Sequence, residues 1–374
     1  MRVAVLGVGL IGGSIGMAAR ARADAEVCGY DPDERVRAAA LELGAIDTEA
    51  ADVATAIAGA DVVFAAAPVG ALAEIVRLAL ASAGPDCVVS DVGSTKRALA
   101  HATADARFIG GHPLAGAETA GVEHARADLF DGATWYLTPA KGSTTGVLYE
   151  RLHRLLGRFG ARPSAIDAET HDRLMAGVSH LPHVLANLLV LQARSLPVLG
   201  EGGPGEEPER PPVDSRVPAV GPSFRDATRV AGANSAIWTD IYMSNRDALI
   251  AGIDELSRRL GEVRGWLQAG DATAVEAWNE QARAAREALL GAGLVGGVGG
   301  EAVLELRASV PNRPGVIAEI ALALGGAGIN ILDMVLSPSP DNSRGVVSLW
   351  IAGERHSRRA EELIVDLGLP VVRV

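Results

Sequence analysis

The chain has 374 residues, too many for one ordinary hydrophobic core, so two or three domains are expected. Its 34 basic against 46 acidic residues leave a formal charge of −12, which argues against nucleic acid or an anionic membrane as partner and leaves any anionic substrate to locally placed Arg or His. Two cysteines, Cys28 and Cys87, fit a reducing cytoplasm and exclude a disulfide framework or cysteine metal cluster, and no apolar stretch is both long and glycine-poor enough to span a bilayer.

Met1 to Leu6 reads as a short buried strand, followed at once by Gly7-Val8-Gly9-Leu10-Ile11-Gly12 and a helical run to Arg20. That places G-x-G-x-x-G after a strand and at the opening of a helix, as a dinucleotide fingerprint requires. Gly7 permits the tight turn, Gly9 lets the backbone approach a pyrophosphate and Gly12 lets helix and strand pack closely. The helix start at Leu10 and Ile11 offers amide groups to the anion. The next strand, 26–30, ends in Asp31, about twenty residues past the glycines, where a carboxylate accepts from ribose hydroxyls and repels a 2′-phosphate. NAD is therefore expected over NADP. The opening also mimics a secretory leader, but its glycines make a poor apolar region and Asp31 would then have no purpose.

Residues 1–165 alternate strand and helix signals. The apolar run 61–67 reads as a buried parallel strand, and it ends at Pro68 on the edge where such folds bind ligands. Further strands are expected at 87–91, at 108–111 and, as an edge strand, at 135–139. From His171 the pattern turns helical: Leu174, Val178, Leu181, Leu185 and Leu188 recur at three- and four-residue spacing, and Met175, Val184 and Leu189 widen the stripe. A helix apolar nearly all round over 174–193 suggests a helical dimer interface. Residues 197–222, rich in Pro, Gly and charge, read as a long surface loop, and helical patterns resume over 224–290.

Gly291 to Gly300 holds six glycines and reads as a linker. Beyond it, strands at 303–309, 329–337, 346–352 and 370–374 with helices at 316–325 and 357–367 form a ferredoxin-like split β-α-β order. The expected division is 1–165 for the cofactor domain, 166–290 helical, 291–301 linker and 302–374 terminal.

Ser90-Asp91-Val92-Gly93-Ser94-Thr95-Lys96 and Gly110-Gly111-His112-Pro113 sit at two strand ends, bringing Ser94 and His112 towards a nicotinamide position. His112 can accept a proton near neutral pH, and a serine hydroxyl can bridge it to a substrate oxygen. The bland alternative is a helix cap and a satisfied loop histidine. His180-Leu181-Pro182-His183 places two imidazoles one turn apart on the apolar helix, with a kink expected at Pro182. A metal there would need a third ligand, for which His171 is the only obvious candidate, and none is expected. Phe224-Arg225-Asp226-Ala227-Thr228-Arg229 opens a later helix whose arginine can clamp a carboxylate or simply sit on a solvated face.

Together these motifs, with Gly-Gly-His-Pro-x-Ala-Gly-x-Glu ending at Glu118 and His171-Asp172 ahead of Ser-His-Leu-Pro-His, resemble the prephenate dehydrogenase family over about 1–290. Pro311-Asn312-Arg313-Pro314-Gly315-Val316 and Gly328-Ile329-Asn330-Ile331 resemble an ACT domain, an amino-acid-sensing module. The resemblance implies an α/β protein with three parts: a Rossmann-type dinucleotide-binding domain, an all-α dimerisation and substrate domain, and a C-terminal ferredoxin-like α+β ACT domain. It implies NAD-dependent oxidative decarboxylation of prephenate to 4-hydroxyphenylpyruvate in a cytoplasmic homodimer, with tyrosine as effector.

By the same resemblance His112 takes a proton from the ring hydroxyl while Ser94 touches that hydroxyl and the nicotinamide. Arg229, His183, His180, Glu118 and Asp226 fall on substrate positions. Gly7, Gly9, Leu10, Ile11, Gly12, Asp31, Pro68 and Ser94 fall on the cofactor, and Asn312, Gly315, Gly328 and Asn330 on the effector. The approach to the arginine motif, Val220-Gly221-Pro222-Ser223, is less glycine-rich than the family pattern. Rival readings are an arogenate dehydrogenase, a non-catalytic NAD and amino-acid sensor, and a β-hydroxyacid dehydrogenase. The last demands a lysine in the helical domain, and none follows Lys141.

Overall fold

A computed structural model describes residues 1–116, 119–140, 146–195, 220–295, 303–339 and 343–373. The chain divides into two compact units, Met1–Arg259 and Leu260–Val374. The strands of the N-terminal part and the first helices that follow them fall in the same unit.

The first unit is built on a parallel five-stranded sheet of β1 (Arg2–Leu6), β2 (Glu26–Tyr30), β3 (Thr48–Glu49), β4 (Val62–Ala65) and β5 (Val88–Asp91), ordered β3-β2-β1-β4-β5. Because successive strand side chains point to opposite faces, Val3, Val5 and Phe64 pack on one side with Ile15 of α1 (Leu10–Ala23) and Leu152 of α6 (Val147–Arg158). Ala4, Leu6 and Val63 pack on the other side with Leu72 and Val76 of α4 (Val69–Ser82). Each large apolar side chain so enclosed contributes about 1.5–3 kcal/mol, which explains why these strands carry continuous apolar runs. Helices α2 (Glu34–Glu42), α3 (Val53–Ile57) and α5 (Arg97–Ala102) complete this layer.

A second, three-stranded sheet holds β6 (Gly110–Pro113), β7 (Thr134–Thr138) and β8 (Arg162–Ala165). This corrects two expectations. The strand predicted at 108–111 is displaced, so that His112 lies within β6 opposite Tyr136 of antiparallel β7, and β7 is the middle strand of this small sheet, not the edge of the large one. A single bridge between Val89 and Phe108 links the two sheets. The glycine pair gives the physical reason. A Cβ on Gly111 would lie 2.5 Å from the Asp91 carbonyl oxygen, so only glycine lets β6 press against the end of β5.

The helical part runs through α7 (Ala168–Met175), a π-helical turn (Ala176–His180), α8 (Leu181–Arg194), α9 (Pro222–Thr228), a 3₁₀ turn (Arg229–Gly232), α10 (Ser235–Ser244) and α11 (Arg246–Ala269). The kink expected at Pro182 is a widened turn just ahead of it, which absorbs the missing proline N–H without breaking the helix. By length and composition the run Ala168–Arg194 would suit a membrane span. Its polar residues His171, Asp172 and His180 are nonetheless buried within the fold, and Leu188, Leu189, Val190 and Leu191 stand exposed. The predicted loop 197–222 lies outside the described residues up to 219, and Pro222 already belongs to α9, at the start position that suits proline.

In the second unit, α12 (Ala272–Val295) continues past Gly291 into the expected linker. The strands β9 (Val303–Pro311), β10 (Ile331–Pro338), β11 (Arg344–Ala352) and β12 (Val371–Arg373) form an antiparallel sheet ordered β10-β11-β9-β12, with α13 (Val316–Gly326) and α14 (Glu354–Asp366) in the connections. This is the ferredoxin-like order read from the sequence. Leu306, Ala308 and Val310 alternate inward from β9 against Ile320, Leu324 and Ile364.

Gly12 and Gly9 separate packing from binding. A Cβ on Gly12 would lie 1.8 Å from the Gly7 carbonyl oxygen, whereas one on Gly9 meets nothing within 4 Å. Gly12→Ala is expected to destabilise the fold by about 1–3 kcal/mol in denaturant titration. Gly9→Ala is expected to leave stability unchanged and to weaken NAD binding. Equal stability losses would contradict this division.

Candidate active site

The dinucleotide cradle forms where β1 turns into α1. Gly7 has φ +97°, a conformation L side chains avoid, and its N–H donates to the Tyr30 carbonyl at 2.7 Å. Gly9 is the N-cap residue of α1 with no side-chain cap, so the first amides of the helix at Leu10, Ile11 and Gly12 face outward as donors for a pyrophosphate. Asp31 closes β2. Its carboxylate accepts the Val8 N–H at 3.2 Å and the Asp33 N–H at 3.1 Å, which fixes it beside the glycine turn. Pro68 caps α4 at the end of β4. The open space at Gly9 and the bare amides fit a dinucleotide, and these sequence-predicted residues all lie along one sheet edge.

Asp91 ties the Ser94 and His112 segments together. One of its oxygens accepts the Gly93 N–H at 2.8 Å, in the loop that carries Ser94; the other accepts the Gly111 N–H at 3.1 Å, beside His112. Lys96 pairs with the same carboxylate, both side chains being fully buried. Burial pulls the Lys96 ammonium below its ordinary value against the opposing pull of Asp91. With these ties in place, Ser94 and His112 line a common cavity of about 330 Å³ with Met175, His180, Trp238 and Ile241.

His112 has a partner that the motifs did not reveal. Its Nδ1 lies 2.9 Å from Nε2 of the buried His171, whose own Nδ1 lies 2.8 Å from Asp172 Oδ1. Asp172 also accepts the backbone N–H groups of Lys96 at 2.8 Å and Arg97 at 2.9 Å, at the start of α5. Burial raises its carboxyl, but the bond from His171 and these two amides outweigh burial and hold it below its ordinary value, ionised. An ionised carboxylate only accepts, so His171 donates from Nδ1, and as a neutral imidazole it presents a lone pair at Nε2. His112 must then donate from Nδ1, leaving Nε2 as a lone pair. Burial first, then the Lys96 charge and the neighbouring histidines, push His112 well below the ordinary imidazole value, so it is neutral at pH 7. Such an arrangement can accept a proton at Nε2.

The remaining predicted residues separate. His180 is buried at the cavity, where burial outweighs the attraction of Asp172 and lowers it to about 4. His183 instead stacks on Trp238 with ring centroids 3.4 Å apart, and burial followed by the nearby Arg229 charge lowers it. Arg229 stands exposed on the 3₁₀ turn beside His183, whereas Asp226 is exposed on α9 and takes no part in the cavity lining. Glu118 lies outside the described residues. In the second unit, Gly315 (φ +87°) caps α13, Gly328 has φ +71°, the Asn312 N–H donates to Ser343 at 3.1 Å and Asn330 is exposed.

Sequence reasoning missed the relay of His171 and Asp172, although both stood in a quoted motif. Their contacts reach 59 and 76 residues back along the chain, and no local periodicity reports them. Trp238 carried a weak signal, as one of five tryptophans in a chain only 4% aromatic.

The chain is similar to known proteins over most of its length. The chain matches the family described as prephenate dehydrogenase, nucleotide-binding domain, over residues 15–164, its dimerization domain over 167–281 and the ACT domain over 304–363. It is 30% identical over 371 residues to a prephenate dehydrogenase of Bacillus subtilis, covering 97% of this chain and 95% of the relative. A cyclohexadienyl dehydrogenase of Zymomonas mobilis is 35% identical over 271 residues, covering 70% of this chain and 87% of that protein. Among solved structures, prephenate dehydrogenase from Aquifex aeolicus in complex with hydroxyphenyl propionate and NAD+ superposes with a TM-score of 0.68 at 28% identity, covering 77% of this chain and 98% of that one.

Proposed function

The chain belongs to the prephenate dehydrogenase family of NAD-dependent oxidoreductases, and on that premise we propose that it converts prephenate to 4-hydroxyphenylpyruvate in tyrosine biosynthesis. The observation that carries this reading is the hydrogen-bonded chain from Asp172 through His171 to His112 Nδ1, beside a cavity that His112 shares with Ser94. Bound NAD supplies the hydride acceptor. Gly7, Gly9, Leu10, Ile11 and Gly12 would hold its pyrophosphate and Asp31 its ribose, with Pro68 and Ser94 on the side of its reactive end. His112 takes the proton of the C4 hydroxyl as hydride leaves C4. The bond from C1 to its carboxylate breaks, CO2 departs and the electron pair completes the aromatic ring. His112 then returns the proton to the phenolate, so no net proton is consumed. Ser94 orients the hydroxyl, and Arg229, next to His183, clamps a substrate carboxylate.

Steady-state kinetics with prephenate and arogenate side by side test the substrate. Prephenate is expected to give the higher kcat/KM, and preference for arogenate would overturn the assignment. His112→Asn is expected to lower kcat by about 10²–10⁴-fold, the range of a lost general base. A near-normal kcat in that variant would remove His112 from the chemistry.

The exposed leucines of α8, within the segment matched to a dimerization domain, support a homodimer that covers them. The positive-φ glycines Gly315 and Gly328, where a Cβ would meet nothing within 4 Å, support tyrosine as a feedback effector held there with Asn312 and Asn330. Tyrosine titrated against Asn330→Ala in the full chain separates this from competition at the active site. Reduced sensitivity with unchanged kcat is expected, and unchanged inhibition would place tyrosine in the catalytic cavity.

A further inference from the structure

Asn245 sits at the junction of α10 and α11 and is fully buried. Its backbone is fixed from both sides, the N–H donating to the Ile241 carbonyl at 3.1 Å and the carbonyl accepting the Leu249 N–H at 3.0 Å. Its side-chain nitrogen lies 2.7 Å from the Asp172 backbone carbonyl and 3.2 Å from His180 Nδ1. A carbonyl only accepts, so the amide nitrogen must face it, and the orientation of the Asn245 amide is thereby settled. The second hydrogen of that nitrogen points to His180 Nδ1, which must be a lone pair. Imidazole held neutral then carries its proton on Nε2.

We propose that Asn245 is a positioning residue that holds His180 in its Nε2–H form, so that His180 donates a hydrogen bond to a substrate oxygen while His112 offers a lone pair in the same cavity. A second observation favours function over packing. Asn245 Oδ1 is buried with no partner among the described residues, a cost that an apolar filler at this position would not carry. One residue thereby sets two opposite tautomers. The Asp172 carboxylate makes His112 an acceptor through His171, and the Asp172 carbonyl, through Asn245, makes His180 a donor. The role of the donor rests on the cavity being the substrate cavity proposed above; the tautomer does not.

Two measurements test the assignment. In ¹⁵N-histidine spectra of the whole protein, the signal lost in His180→Gln is expected to show a protonated Nε2 and a bare Nδ1. A protonated Nδ1 overturns the proposal. In kinetics with prephenate, Asn245→Ala is expected to lower kcat/KM by up to about tenfold, the scale of one hydrogen bond. In the His180→Gln background, whose amide donates from the Nε2 position without help, Asn245→Ala is expected to add no further loss. Equal losses in both backgrounds would mean that Asn245 only packs the helices, and would sink the proposal. Absence of turnover with prephenate and arogenate in the wild type would strike the proposed function alone, and the spectrum would still decide the tautomer.

Discussion

The buried carboxylate of Asp172 receives the backbone amides of Lys96 and Arg97 and the ring N–H of His171, while its own carbonyl receives Asn245. A carboxylate removed from water is costly unless its lone pairs are answered, and here the answers come from the start of α5 and from α7, while the junction of α10 and α11 answers the backbone carbonyl of the same residue. The cofactor-binding layer and the helical layer thus meet at one charge. Moving either layer would leave that charge unpaired, which costs far more than a surface ion pair returns. This explains why the two parts form one compact unit up to Arg259.

A second buried carboxylate, Asp91, does the corresponding work along the sheet edge. By binding the amides on either side of the gap between β5 and β6 it sets Ser94 against His112, and Lys96 balances its charge. The same lysine charge, acting with burial, keeps His112 unprotonated. The electrostatics that hold the fold together therefore also keep the His112 ring neutral. No metal ligand or nucleophile is required by chemistry in which aromatisation drives loss of CO2.

The legible part of the sequence was that governed by short-range constraints. The glycine turn with Asp31, the buried β4 run and the split β-α-β order at the C-terminal end all follow from local spacing, and the structure places them as read. The strand at His112 was misplaced because its register depends on Gly111 pressing against Asp91, a contact across 20 residues. Of the two imidazoles read as a pair one turn apart, His180 turned to Asn245 and the cavity while His183 stacked on Trp238, because partners elsewhere in the chain decide each ring. Hydrogen-bond chains closed between distant segments leave no periodic trace, and the relay through His171 is of that kind.

We propose that Asp172 fixes the proton arrangement that lets His112 act as a base. The pH profile of kcat/KM for prephenate, in the wild type and in Asp172→Asn, tests it most directly. The account predicts a wild-type profile whose acid limb lies below the ordinary imidazole value of about 6.5, and an Asp172→Asn plateau lower by about 10²–10⁴-fold, as expected when a catalytic histidine is held in the wrong tautomer, with NAD affinity retained. Superimposable profiles in the two proteins would contradict it.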